Sequence, residues 1–184
     1  MCDPEANLRA AERVADLLDQ HGVPAVVIGA VALAAYRYVR YTEDIDLGVD
    51  ADLPCMRKLA TALREAGFTV ELREPDDDDP LGGVIDVSGS FGLVQVVSFA
   101  DRLPAAIRDA LAGDDIRVSS GSKLRLIPLP QLVALKLYAG GSKSRADIVE
   151  LLRRNPEADL SPIRTVCRRY RLRGLEAILR ELHP

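Results

Sequence analysis

Apolar and polar positions alternate along this chain with two periods, one helical and one of two residues. Leu8, Ala11, Ala15 and Leu18 recur at helical spacing behind Asp3-Pro4-Glu5, an N-cap residue followed by a proline at the first helical position, and Gly22 closes the segment. A short apolar run at 25–28 predicts a strand and 32–38 a helix. The segment 44–49, D-I-D-L-G-V, has period two, which sends Ile45, Leu47 and Val49 to one face of a strand and Asp44 and Asp46 together to the other. A third helix is predicted from Asp52-Leu53-Pro54 to Ala66, ended by Gly67, followed by a strand at 68–72.

Downstream, 84–87 and 93–99 read as a hairpin across the turn S-G-S-F-G, predicted to complete the sheet beside the D-x-D strand. A helix at 103–111, short strands at 116–118 and 124–126, and a helix at 131–138 opened by Pro128 and Pro130 come next. A flexible loop at 140–144 then leads to three helices near 145–154, 162–170 and 174–182. Helices alternating with strands through short connections predict an α/β (α+β) domain with a small mixed sheet flanked by helices and a helical C-terminal bundle. The expected division is a catalytic core over 1–127 and a C-terminal helical region over 128–184.

Composition narrows the chemistry. The three cysteines, Cys2, Cys55 and Cys167, are scattered and lack C-x-x-C spacing, which fits a reducing cytoplasm. With only His21 and His183, a histidine-rich metal site and a histidine general base both lack material, so any metal must be held by oxygen. No signal peptide is expected, and no apolar run approaches the roughly 20 residues of a membrane span. The net charge of −4 conceals two ends: from Lys143 onward ten Lys or Arg face six Asp or Glu, about +4, whereas the preceding residues carry fourteen against twenty-two, about −8.

Two carboxylates aimed at one point repel and raise each other's pKa unless a cation lies between them, so Asp44 and Asp46 suit a divalent ion, Mg2+ or Mn2+. Upstream, Gly29 permits close backbone approach, and the helix that follows offers unpaired N–H groups to an anion.

The order G-A-x-A followed by Arg40-x-Thr42-x-Asp44-Ile45-Asp46-Leu47 resembles the nucleotidyltransferase superfamily that includes DNA polymerase beta. The later A-L-K-L-Y-A of 134–139, with Arg145 and Asp147 behind it, resembles its AbiEii-type branch of toxin–antitoxin and phage-defence loci. The resemblance reaches to about residue 152. It implies a nucleotidyltransferase fold and transfer of a nucleoside monophosphate from a nucleoside triphosphate to an RNA (tRNA) or protein acceptor, with a toxin role and a cognate antitoxin as partner. It also implies that Asp44 and Asp46 hold the metal, that Gly29, Ala30, Arg40, Thr42 and Lys136 contact the nucleotide, and that a third acid completes the site.

For that third acid the candidates are Asp86, in V-I-D-V, and Gln95, which stands in G-L-V-Q-V-V where the family carries Asp. The hairpin register decides whether the two share a face. Ala30 also departs from the family, which has Ser or Gly there. Asp147 is expected to orient Lys136 or Arg145, or to cap a helix. Arg164, Arg168 and Arg171, spaced i, i+4 and i+7, form a candidate RNA contact. The acidic run Asp76–Asp79 is either a solvated loop or a patch for a cationic substrate. The alternatives are therefore a small-molecule transferase of the aminoglycoside or lincosamide type and a degenerate member that binds nucleotide without catalysis.

Overall fold

The structure, a computed structural model, describes residues 4–75 and 82–182. The acidic run Asp76–Asp79 and Asp3, Cys2 and His183 lie outside the described residues. The elements run α1 (Pro4–Gln20), β1 (Val26–Val27), α2 (Gly29–Ala35), β2 (Asp44–Val49), α3 (Leu53–Glu65), β3 (Thr69–Arg73), β4 (Val84–Gly89), β5 (Gly92–Ser98), α4 (Pro104–Ala112), α5 (Leu129–Ala139), α6 (Gly141–Arg154), α7 (Leu160–Arg169) and α8 (Leu175–Leu182).

The five strands form one mixed sheet in the order β1-β2-β5-β4-β3. β2 and β5 are parallel neighbours at its centre, and the other pairings are antiparallel. Strand alternation does here what the period predicts. Ile45, Leu47, Val49, Ile85, Val87, Val94 and Val96 face one way and share a core with Leu18 of α1 and Met56, Leu59 and Leu63 of α3. Asp52 caps α3, its carboxylate accepting from the Cys55 N–H at 2.9 Å.

The opposite face is half covered. Val84, Val97 and Phe99 pack with Val26, Ile28, Ile107 of α4 and Leu132 and Val133 of α5. At Gly48 a Cβ would come within 2.9 Å of Ile107 Cδ1 and 3.2 Å of Ile28 Cγ2, so the covering elements sit directly on the backbone there. One row along, the same face carries Asp46, Gln95, Asp86 and Glu71 as cross-strand neighbours on β2, β5, β4 and β3. The polar half of this face is where the site forms.

Four local expectations change. α2 begins at Gly29 instead of 32, because Ile28 already adopts extended N-cap geometry and Gly29 enters the helix with φ of +64°. The segments at 116–118 and 124–126 make only the isolated bridges Arg117 to Arg125 and Val27 to Leu126. The expected loop at 140–144 shrinks to Gly140, a left-handed hinge at φ of 67° from which α6 starts at once. α7 ends at Arg169 and Arg171 lies beyond it at φ of 57°, so Arg164, Arg168 and Arg171 do not share one helical stripe.

Candidate active site

Gly29 and Asp46 are built against each other. A Cβ at Gly29 would lie 1.7 Å from Asp46 Oδ2, and the Ile28 N–H donates to the Asp46 carbonyl at 2.9 Å. No other residue type fits at position 29 without moving the carboxylate. Ala30, in the first turn of α2, is buried at 4% exposure. Asp44 is fixed by Thr42, whose hydroxyl donates to its carboxylate and whose oxygen lies 3.4 Å from the Asp44 N–H.

Burial and the neighbouring Asp44 carboxylate push the Asp46 carboxyl from the ordinary 3.8 up to about 6, against the opposing pull of Lys136, Arg40 and Lys143. Lys143 is the cation the sequence reading missed. Its place in a glycine-rich segment predicts a loop, which the structure replaces with the first turn of α6.

The cations on this flank are themselves held. Asp147, on α6, is 2% exposed and receives Lys136 Nζ at 2.7 Å and Arg40 Nη1 at 3.3 Å. One buried carboxylate thus anchors a lysine from α5 and an arginine from the α2–β2 connection at the edge of the Asp44–Asp46 site. Arg145, the other expected partner of Asp147, pairs instead with Glu181.

The hairpin register places Asp86 opposite Gln95, and Gln95 in turn beside Asp46. Asp86 accepts Arg73 Nε at 2.7 Å, Arg73 Nη2 at 3.2 Å and Gln95 Nε2 at 2.6 Å. Burial alone would raise its pKa, but these bonds outweigh it and hold the carboxyl below the usual range. Glu71 completes the row at the exposed edge.

Among the described residues no group of three His, Cys, Asp or Glu side chains could hold a metal ion. The donors that β2 brings together are the two carboxylates of Asp44 and Asp46. That set fits Mg2+, which binds through one or two carboxylates and keeps waters and substrate phosphates as its remaining ligands.

The three arginines of the expected RNA contact lie apart from this cluster. Arg164 pairs with Glu176 at 2.9 Å, and Arg169, beside Arg168, pairs with Asp109 at 2.9 Å. A hollow between α7 and α8 is lined by Arg164, Arg168, Arg173 and Arg180, and a second, by Lys136, Arg145 and Arg173. Arg173 belongs to both. A third, mostly apolar hollow beside Gly29 is lined by Ile28, Phe99, Leu132, Lys136 and Tyr138.

No family model matches the sequence, and no curated protein matches it. Solved structures do. The chain is similar to the antibiotic-resistance factor ANT(2'')-Ia in solution, at 17% identity and a TM-score of 0.56, over 100% of this chain and 98% of that one. It is similar to ANT(2'')-Ia in complex with adenylyl-2''-tobramycin, at 14% identity and a TM-score of 0.55, over 89% and 96% of the two chains. An antigenic nucleotidyltransferase-like protein from Paracoccidioides brasiliensis is similar at 16% identity and a TM-score of 0.54, over 91% and 88%. With its five-stranded mixed sheet, flanking helices and these full-length structural relatives, the chain has the nucleotidyltransferase fold.

Proposed function

We propose that this protein is a divalent-metal-dependent nucleotidyltransferase that passes a nucleoside monophosphate from a nucleoside triphosphate to an acceptor hydroxyl, with pyrophosphate leaving. The observation that carries the reading is Asp46: a half-buried carboxylate set beside a second carboxylate and pressed onto a bare glycine Cα, an arrangement that disfavours the charged form unless a cation arrives. Asp44 and Asp46 would hold the metal, which when bound neutralises charge on the transferring phosphoryl group. Gly29 and Ala30 offer backbone to the phosphates, Thr42 keeps Asp44 in place, and Arg40 and Lys136, oriented by Asp147, stand where the triphosphate brings negative charge. The apolar hollow beside Gly29, with Tyr138 in its wall, suits the face of a nucleobase.

For the acceptor the leading reading is RNA, with tRNA the first candidate, or a protein. In this reading residues 1–127 form the catalytic core with the metal site, and the helical region 128–184 contributes Lys136 to the nucleotide and its arginines to the acceptor. Its support is the excess of arginine after Lys143 and the two hollows joined at Arg173, which extend cationic surface from Lys136 to α7 and α8. The A-L-K-L-Y-A resemblance to AbiEii-type proteins adds the toxin role, with an antitoxin as partner. A small-molecule acceptor is the second reading, favoured by a match that spans nearly the whole of ANT(2'')-Ia.

Labelled nucleoside triphosphates, Mg2+ and total tRNA test the first, and an aminoglycoside or lincosamide in place of tRNA tests the second. Label in RNA supports the leading reading, and label in the antibiotic supports the alternative. No transfer to any acceptor overturns the enzyme reading and leaves a nucleotide-binding member.

A further inference from the structure

The third position of the acidic row is a problem of atom assignment that the structure resolves. A carboxylate only accepts, so the end of the Gln95 amide that meets Asp86 Oδ1 at 2.6 Å must be its NH2 group. The Gln95 carbonyl oxygen is therefore the end turned away from Asp86, and β5 lies between β4 and β2, so Asp46 is the neighbour on that other side. Among the described residues, no hydrogen bond reaches that oxygen.

Asp86 is in the opposite condition. Arg73 engages both its oxygens, at 2.7 and 3.2 Å, and Gln95 takes a further lone pair. A guanidinium against the carboxylate supplies the counter-charge that a metal would otherwise provide, and disfavours a second cation there.

We propose that Gln95, through its amide oxygen, is the third protein ligand of the divalent-cation site, and that Asp86 is a positioning residue that aims it. This rests on the metal site proposed above. Arg73 locks Asp86, Asp86 locks the Gln95 amide, and the amide presents a neutral oxygen beside two charged ones. The site then carries two carboxylates instead of three, and the triphosphate supplies the missing negative charge. A neutral third ligand also takes up no proton from the acceptor hydroxyl, so this row contributes no general base at that position.

The test is a Mn2+ titration with the metal alone, free ion counted by electron paramagnetic resonance, on variants shown by circular dichroism to be folded. Gln95→Leu is expected to weaken Mn2+ binding by about tenfold or more, and Asp86→Ala by a comparable or smaller factor, as removal of an outer-shell partner does. The double variant is expected to be no worse than Gln95→Leu alone, because Asp86 acts only through Gln95. Asp86→Asn keeps an oxygen for the Gln95 NH2 group and is expected to bind like wild type. An Asp86→Ala loss larger than that of Gln95→Leu, additive losses in the double variant, or an Asp86→Asn loss equal to that of Asp86→Ala would overturn the proposal. Binding that needs Asp44 yet ignores Gln95 sinks this inference alone, whereas a wild type that takes up no Mn2+ sinks it together with the metal-site reading.

Discussion

Asp147, which is buried, and Asp46, which is half-buried, lie on the edge of one site and are treated in opposite ways. Asp147 is met by Lys136 and Arg40, so its charge is matched within the fold. Among the described residues Asp46 makes no such pair: burial and then the neighbouring Asp44 push its carboxyl up to about 6, outweighing the pull of Lys136, Arg40 and Lys143. A buried charge that the protein neutralises itself serves to position its partners. One that lacks an ion pair of its own, with a glycine pressed against it, fits the proposed binding of a metal-bound nucleotide. Under the proposed function, Asp147 maintains structure and Asp46 is set for chemistry.

The largest effect should come from Asp44→Ala, which removes half of the unmatched pair: transfer to the acceptor identified by labelling should disappear while circular dichroism stays that of the wild type. Retained transfer would break the comparison at its functional end. Asp147→Ala should instead cost about 3–5 kcal/mol in urea unfolding, because two partly buried cations lose their counter-charge. Unchanged stability would show that Lys136 and Arg40 do not depend on it.

Asp46→Asn should have the opposite sign. Without metal, Asp46 takes up a proton on folding between about pH 4 and 6, so its contribution to stability falls as pH rises through that window and the full loss is present above about 6. The amide escapes that loss, so the variant should gain stability on the order of 3 kcal/mol at pH 7 and little at pH 4. Equal pH profiles for the two proteins would contradict the unmatched state of Asp46.

Smaller still, Lys136→Met should weaken triphosphate binding by about tenfold, the weight of one charge-assisted hydrogen bond, in a calorimetric titration with Mg2+. Arg164→Ala should leave the melting temperature unchanged, since its pair with Glu176 is exposed to solvent.

Much of this arrangement could be read from residue order. The period-two run D-I-D-L-G-V matches β2 residue for residue, and Asp52-Leu53-Pro54 marks the start of α3 because cap and proline act locally. Asp44 and Asp46 share a face for the same reason. Facts that depend on pairing were out of reach. Asp86 and Gln95 were known to share a face only if the hairpin turned in one register, and the Arg73 guanidinium that occupies Asp86 comes from a neighbouring strand that no local pattern links to it. The α7 arginines show the converse: their spacing predicts a helical stripe through Arg171, but α7 ends at Arg169 and Arg171 is left-handed. Lys143 was hidden because two glycines read as flexibility, whereas here Gly140 makes one sharp joint and the helix resumes. Short-range chemistry is written in order along the chain, and cross-strand chemistry is not.

The central claim, that Asp46 is unmatched because a metal-bound nucleotide completes the site, is tested most directly by calorimetric titration of each of the four nucleoside triphosphates, with Mg2+ and with a chelator, into the wild type and Asp46→Asn. At least one triphosphate should bind the wild type only when Mg2+ is present and should fail to bind the variant. Binding that is equal with and without the ion, or equal in the two proteins, or absent for all four, would contradict it.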